Sequence, residues 1–240
     1  MISIKSIDKY NTRNKKDKDT KLLNNIISNN NVNDLFLNRD TVNDYDFVFS
    51  KKLTDKSILN QHASGRCWLF AFINIIRDKM IKKYKLDDSF SLSVNYLFFY
   101  DKLEKSNNFL RNIINTKKKK VGDREVQYLL ENPLNDGGNW DMASNLLTKY
   151  GIIPYEAMKE TIHSRDSDEL NKHLENNLKT FAYEIRNNIN DNIEGMNYVI
   201  YKLLCSFLGT PPSKITWTYY NKKKNINQKK TLRLYFFIKI

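Results

Sequence analysis

Apolar residues recur at helical spacing from Cys67 to Tyr84. Intervals of three and four residues place them on one face of a helix, while the charged residues between them fall on other faces. We therefore predict a helix over 67–84 that is buried by its neighbours. Its apolar positions are Leu69, Phe72, Ile73, Ile76, Met80 and Ile81, and the charged positions assigned to other faces are Arg77, Lys82 and Lys83.

Further elements follow from the same pattern and from capping and breaking residues. Residues 1–20 are polar and are expected to be frayed. A second strong helix is predicted from Ser93, as N-cap, through Leu103, with a looser connection over 107–122. The other predictions are helices over 21–27, 123–131, 140–150, 168–179 and 195–208, an extended segment over 43–49 and a strand over 215–220.

The composition is that of a folded protein, since 40% of the 240 residues are hydrophobic and 12% are aromatic. No apolar run approaches the ~18 residues that cross a bilayer, so no membrane association is expected. Residues 1–6 lack the apolar stretch of a secretory signal. The two cysteines, Cys67 and Cys205, give no disulfide framework, which suits a reducing compartment. We therefore expect a cytoplasmic protein.

The net charge of +13 has two interpretations. It could reflect affinity for nucleic acid, or a coding bias that also favours asparagine and isoleucine. The lysines are scattered, and the dense runs over 117–120 and 222–224 lack the interleaved aromatic residues of a base-stacking surface. We favour coding bias and keep weak nucleic-acid binding as the alternative.

A cysteine opens the predicted helix 67–84, in the stretch NQHASGRCWLF over 60–70. The thiolate is the form of cysteine that attacks a carbonyl, and the N–H groups at a helix N-terminus stabilise a thiolate. Gln61 could donate its amide N–H to a developing oxyanion, beside the backbone N–H of Cys67. The alternative is a structural cysteine, since free cysteine is a common core residue. The presence of Gln61, Gly65 and Trp68 in register favours a nucleophile.

Two glycines precede the predicted helix 140–150, in the stretch NDGGNWDM over 135–142. Glycines leave the backbone N–H and C=O groups accessible, and an extended peptide can pair with such a backbone. Gly137 and Gly138 are therefore candidate substrate-binding residues, together with Trp68 and Met142. The alternative is an ordinary loop with a glycine turn.

These motifs together resemble one branch of the papain-like cysteine peptidases, the bleomycin hydrolases or aminopeptidases C. The matching stretches are NQxxSGRCWLF over 60–70, QxLL over 127–130, NP at 132–133, DGGxWDM over 136–142 and GTPP over 209–212. The resemblance extends from about Leu22 to about Trp217. One departure is Ser64, which stands where the papain-type signature has a cysteine.

The resemblance implies an α+β fold of the papain-like type, of which this chain would hold mainly the helical half, with insertions. It also implies a cysteine aminopeptidase that cleaves peptides from the N-terminus, with a thioester on Cys67 and no metal or other cofactor. Gln61 would stabilise the oxyanion, and Gly137 and Gly138 would bind the substrate backbone. Trp68 would pack beside the nucleophile. A homohexamer with some nucleic-acid affinity is implied as well.

The sequence lacks a histidine where such a peptidase needs one. A cysteine nucleophile requires an imidazole base and a group that orients it. In papain the histidine lies roughly 130–150 residues after the cysteine. Here the three histidines are His62, His163 and His173, and the last two are expected at the surface. We therefore predict a truncated chain that carries only the nucleophile half of the site and is inactive alone.

The predicted organisation has three parts. Residues 1–50 form an N-terminal extension, residues 51–220 form the helical subdomain that carries the nucleophile, and residues 221–240 form a Lys/Asn-rich tail outside the family sequence. The C-terminal β-rich half is expected to be largely missing. The alternative function is that of a non-catalytic remnant, which acts as a basic interaction or nucleic-acid-binding protein.

Overall fold

The computed structural model of the chain describes residues 2–30, 59–220 and 226–231. The chain forms two compact units, residues 1–54 and residues 55–240. In the first unit, helix α1 spans Ile4–Asn14 and helix α2 spans Lys18–Ile27. The structure therefore differs from the prediction of a frayed start, because Ser3 and Asp17 cap the first N–H groups of the two helices. The extended segment predicted over 43–49 lies outside the described residues.

The second unit is mainly helical, and a short hairpin follows the helices. Its elements are α3 (Cys67–Tyr84), α4 (Val94–Asn115), α5 (Arg124–Glu131), α6 (Trp140–Tyr150), a 3-10 turn (Tyr155–Ala157), α7 (Ile162–Arg165), α8 (Asp168–Arg186), α9 (Ile193–Leu208), β1 (Ile215–Tyr220) and β2 (Ile226–Thr231).

Helix α4 is the centre of this unit and packs against α3, α5, α6, α8 and α9. Apolar side chains on several faces of α4 are fully buried: Leu97, Phe98, Phe99, Leu110 and Ile113. The apolar face of α3 joins the same core through Leu69, Phe72, Ile73 and Met80. Because α4 has neighbours on several sides, some of its polar residues are buried as well, among them Asp101 and Lys102.

The predicted bounds of α3 are confirmed, but the predicted end of the next helix is wrong. Arg77, which lies off the apolar face of α3, is nevertheless 1% exposed, and its Nε and Nη2 donate to the carbonyls of Phe90 (2.5 Å) and Asp88 (2.8 Å). Helix α4 continues past Leu103 to Asn115, into the segment predicted as a looser connection. The reason is that Phe109, Leu110 and Ile113 maintain helical spacing and are buried.

Strand β1 confirms the strand predicted over 215–220, and it pairs with β2 in an antiparallel hairpin with Ile215 opposite Thr231. The buried ring of Trp217 lies 5.6 Å from the rings of both Tyr84 and Phe90. The hairpin therefore packs against the C-terminal end of α3. Strand β2 lies within the segment predicted as a tail.

Helix α9 ends where the GTPP motif begins, because Gly209 adopts a positive φ of 87°. Among the described residues, no helix combines the length and the apolar character that a bilayer span requires.

Candidate active site

Cys67 is the first residue of α3, and its side chain is exposed. The N-cap residue Arg66 makes no side-chain hydrogen bond to the first turn of the helix. The N–H groups of that turn therefore remain available at the exposed N-terminal end of α3. This arrangement favours negative charge next to the thiol, as a nucleophilic cysteine requires.

The turn before α3 is fixed by a hydrogen-bonded serine. The hydroxyl of Ser64 donates to the carbonyl of Gln61 (2.6 Å) and accepts from Nε of Arg66 (2.9 Å). The structure thus gives a role to the residue that departs from the papain-type signature. Ser64 holds the backbone of the proposed oxyanion residue by hydrogen bonds, without a disulfide.

Arg66 anchors this turn inside the protein. Its side chain is fully buried, and Nη1 pairs with Glu160 at 2.9 Å. The guanidinium lies 5.1 Å from the ring centres of both Phe70 and Phe98. Burial lowers the pKa of Arg66, and the neighbouring Glu160 opposes that effect. The ion pair thereby connects the start of α3 to the segment that precedes α7.

Gln61 is half-buried, and its Oε1 is buried without a hydrogen-bond partner among the described residues. A buried amide oxygen without a partner is costly, but the same holds for the Oδ1 atoms of Asn95 and Asn171, so it does not by itself indicate a function. The next residue in the turn before α3 is His62, whose φ is 54° and whose N–H donates to Oδ1 of Asn60 (2.7 Å). Neither observation tests the oxyanion role of Gln61, which stays a prediction.

Asp136, directly before the two glycines, connects the glycine loop to the nucleophile segment. Its backbone carbonyl accepts a hydrogen bond from the indole Nε1 of Trp68 (2.9 Å), and its carboxylate accepts one from the N–H of Gly65 (3.4 Å). There is no room for a side chain at Gly65, because a Cβ there would collide with the Cβ of Asp136. The loop and the start of α3 are therefore held together directly.

The carboxylate of Asp136 is itself held by three side chains from the surrounding helices. It pairs with Nζ of Lys102, which is completely buried on α4. It also accepts from Oγ of Ser167 (2.6 Å) and Nδ2 of Asn171 (3.0 Å). Burial alone would raise the pKa of Asp136, but the charge of Lys102 and the hydrogen bonds from Lys102, Ser167 and Asn171 together hold the pKa below its ordinary value.

Gly138 approaches Trp68 so closely that only glycine fits. A Cβ at Gly138 would lie 2.5 Å from the indole ring, whereas a Cβ at Gly137 would meet nothing within 4 Å. Trp68 therefore supports the glycine loop, while its packing beside the nucleophile stays a prediction. Met142 follows in the first turn of α6 and lines a cavity of 510 Å³ together with both glycines. The structure brings these four residues together, while their contact with a substrate stays a prediction.

The three histidines lie elsewhere. The rings of His163 and His173 lie 4.6 and 5.4 Å from the ring of Phe207. His62 is exposed in the turn before α3. Within the described part of the chain, no hydrogen bond joins Cys67 to an imidazole.

The pKa of Asp101 predicts a measurable pH dependence. This carboxyl is 2% exposed and pairs with Lys105 at 2.8 Å. Burial raises its pKa from 3.8 to about 6, with Lys105 and Lys102 acting against the rise and Asp136 adding to it. The folded state thus keeps a proton that the unfolded state releases, so this group lowers stability as the pH rises from 4 to above 6.

We expect the non-titrating variant Asp101→Asn to gain about 1 kcal/mol in free energy of unfolding, relative to the wild type, between pH 5 and pH 7. Urea unfolding of both proteins at the two pH values measures this difference, because titrations common to both proteins cancel. A difference that stays constant with pH would contradict the raised pKa.

The residues that sequence reasoning missed are those that support the site. Asp136 lies inside a recognised motif, but nothing in the sequence shows that its carboxylate is a hub. Lys102 and Arg66 are charged residues, and charged side chains are normally exposed to solvent. Only the apolar neighbours of Lys102 on α4 could have suggested that it is buried.

Comparison with known proteins now decides the family. The model of the Peptidase C1-like family matches residues 1–239. The chain belongs to the Peptidase C1-like family. The resemblance to bleomycin hydrolase and aminopeptidase C is confirmed, and the papain-like fold class is confirmed for the helical part that the structure describes.

Named members of the Peptidase C1-like family include similar proteins from bacteria and animals. Aminopeptidase C of Streptococcus thermophilus is 41% identical over 202 residues, which cover 80% of this chain and 45% of that protein. Bleomycin hydrolase of Homo sapiens is 35% identical over 217 residues, which cover 85% and 48%. The crystal structure of PepW from Lactobacillus rhamnosis HN001 matches with a TM-score of 0.90 and 34% identity, over 100% of this chain and 56% of that chain. The chain spans about half the length of the curated relatives it matches.

Proposed function

We propose that this chain carries the nucleophile and the substrate-backbone site of a cysteine peptidase. The observation that supports the proposal best is the exposed Cys67 at the uncapped start of α3, beside a glycine loop that Asp136 ties to the same helix start. A nucleophile needs exposure, a stabilised thiolate and a fixed position relative to the bound peptide. The groups that would meet these requirements, namely Cys67, the first turn of α3 and the glycine loop, all lie in the second unit of the chain.

The proposed chemistry is acyl transfer to sulfur. The thiolate of Cys67 attacks the peptide carbonyl, and the oxyanion accepts hydrogen bonds from the backbone N–H of Cys67 and the amide of Gln61. The C–N bond then breaks, the amine departs with a proton supplied by a general acid, and a thioester remains on Cys67. Water hydrolyses the thioester and restores the thiol. The proton carrier is expected to be an imidazole in the part of the whole protein that corresponds to the rest of its relatives.

For the whole protein, we propose an aminopeptidase that acts on peptides with a free N-terminus in the cytoplasm and needs no metal. Proteins named aminopeptidase C and bleomycin hydrolase, at 34–41% identity, support this assignment. A homohexamer and weak nucleic-acid binding are further proposals that rest on the family resemblance. The second candidate is a non-catalytic basic interaction protein, for which the net charge of +13 is the observation.

The test uses purified 1–240 and two alkylating reagents, iodoacetamide and a dipeptidyl chloromethyl ketone. We expect the peptidyl reagent to modify Cys67 at least about tenfold faster than it modifies the half-buried Cys205, because only Cys67 adjoins a backbone-binding loop. Mass spectrometry locates the label, and the Cys67→Ala variant is the control. Hydrolysis of aminoacyl substrates by 1–240 alone should be negligible, since removing the base from such a unit costs orders of magnitude.

Two results would contradict the proposal. Equal modification of the two cysteines by the peptidyl reagent would favour the non-catalytic protein, and salt-dependent binding to single-stranded nucleic acid would then support that candidate directly. Robust hydrolysis that depends on Cys67 would instead overturn the prediction that 1–240 is inactive alone.

A further inference from the structure

Lys105, on α4, reaches the glycine loop with all three of its N–H donors engaged. Its Nζ donates to the backbone carbonyl of Gly137 (2.7 Å), to that of Asn135 (3.0 Å) and to the carboxylate of Asp101 (2.8 Å). An ammonium group has three donors, so this set of partners satisfies it fully. The same ammonium lies 5.4 Å from the ring centre of Trp68.

The position of this lysine is itself fixed. The carboxylate of Asp101 lies one helical turn before Lys105 and is 2% exposed. Lys102, on the same helix, pairs with Asp136 and donates to the carbonyl of Asn135 at 3.3 Å. Lys102 and Lys105 therefore both bind backbone carbonyls of the glycine loop from the side of α4. An ammonium that is already held by a carboxylate loses little further entropy when it binds a carbonyl, so Lys105 can hold the loop rigidly.

The bond to Gly137 determines where the next N–H group points. A peptide unit is planar and trans, so the C=O of Gly137 and the N–H of Gly138 point in opposite directions. Because Lys105 draws this carbonyl toward α4, the N–H of Gly138 is turned away from α4. Among the described residues this N–H donates no hydrogen bond. The positive charge at the carbonyl also polarises the peptide unit and strengthens its N–H as a donor.

We propose that Lys105 is a positioning residue for peptide binding, which orients the Gly137–Gly138 peptide unit so that its N–H faces the backbone carbonyl of a bound peptide. Asp101 is the counter-ion that holds Lys105 in place. The inference rests on the proposed function, because it assumes that the loop binds substrate backbone. It adds a residue of α4, distant in sequence from both motifs, to the groups that determine peptide affinity.

The test compares wild-type 1–240 with Lys105→Met, Lys105→Arg and Lys149→Met. Lys149, on α6, is the matched control, because it is an exposed lysine that pairs with a carboxylate of α4, that of Glu104. Each protein is treated with iodoacetamide, which has no peptide backbone to bind, and with the dipeptidyl chloromethyl ketone. The rate ratio is the second-order rate constant of the peptidyl reagent at Cys67 divided by that of iodoacetamide. It reports backbone binding separately from thiol reactivity.

We expect Lys105→Met to lower the rate ratio about tenfold, the effect of one charge-assisted hydrogen bond. The rate ratio of Lys105→Arg should lie within about threefold of the wild-type value, because the guanidinium keeps the charge and several donors. Lys149→Met should behave like the wild type. A second readout needs no peptide: hydrogen exchange at the indole Nε1–H of Trp68, followed by NMR, should be faster in Lys105→Met than in the wild type.

The outcomes separate the two proposals. A wild-type protein with no preference for the peptidyl reagent would overturn the proposed function. A wild-type preference that Lys105→Met leaves unchanged would overturn the positioning role and leave the proposed function standing. An equal fall in both rate constants would also overturn the positioning role, because it would show a general change at Cys67.

Discussion

Replacing Lys102 by methionine is expected to lower the free energy of unfolding by about 3–5 kcal/mol. The methionine keeps most of the apolar stem, so the main loss is the charge that pairs with Asp136. Without Lys102, the Asp136 carboxylate keeps hydrogen bonds from Ser167 and Asn171 but loses its opposite charge in a mostly buried site. Urea unfolding at neutral pH, followed by circular dichroism, measures the change.

The matched control is Lys82→Met on α3. Lys82 pairs with Asp78 at 2.7 Å, but its side chain is 62% exposed, and an exposed pair of this kind contributes less than about 1 kcal/mol. We also expect Lys102→Met combined with Asp136→Asn to recover part of the loss, because the isolated charge is then gone. Equal effects of the two single lysine substitutions would show that the Lys102–Asp136 pair is not effectively buried.

The second large effect is expected at the glycine loop. Gly138→Ala should destabilise the protein by about 1–3 kcal/mol, because the new methyl group must displace the ring of Trp68 or the loop itself. The displacement moves the loop relative to Cys67, so the rate constant for the peptidyl reagent should fall by roughly tenfold or more. Unfolding and labelling of the same preparations provide both measurements.

Gly137→Ala is the folding control for this prediction. A methyl group at Gly137 meets no atom within 4 Å, and the residue has no positive φ. We therefore expect the free energy of unfolding to stay the same or to rise by up to about 1 kcal/mol, since alanine restricts the unfolded chain. A similar loss of stability in the two alanine variants would mean that the close approach to Trp68 does not constrain the loop.

Sequence reasoning located the reactive parts of this site better than their supports. The spacing of apolar residues predicted α3, and the residues around Cys67 and Gly138 carried the family resemblance. The same reasoning ended α4 too early, because the polar residues and the four consecutive lysines within 107–122 look like a looser connection. In the structure, Lys105 and Ser106 have internal hydrogen-bond partners, and these make a polar stretch compatible with a helix in the core.

The difference between what was predicted and what was missed has a physical basis. Periodicity reports which face of an element is apolar, and a motif reports a local backbone conformation. A buried charge is stable only through partners that are distant in sequence, as Lys102 and Asp136 are for each other. No local pattern encodes such a pairing, so Arg66, Lys102 and Lys105 became visible as supports only in three dimensions.

The concentration of contacts on the Asp136 carboxylate has a consequence for engineering this protein. The turn before α3, helix α4 and helix α8 all bind the carboxylate of Asp136. A change at this carboxylate therefore alters both the geometry of the site and the stability of the unit. Heating or denaturant should therefore abolish ligand recognition and compactness in a single step, without an intermediate that is folded but unable to bind. Attempts to raise thermal tolerance should begin at solvent-exposed positions such as Tyr183 or Tyr198, far along the chain from this acidic residue.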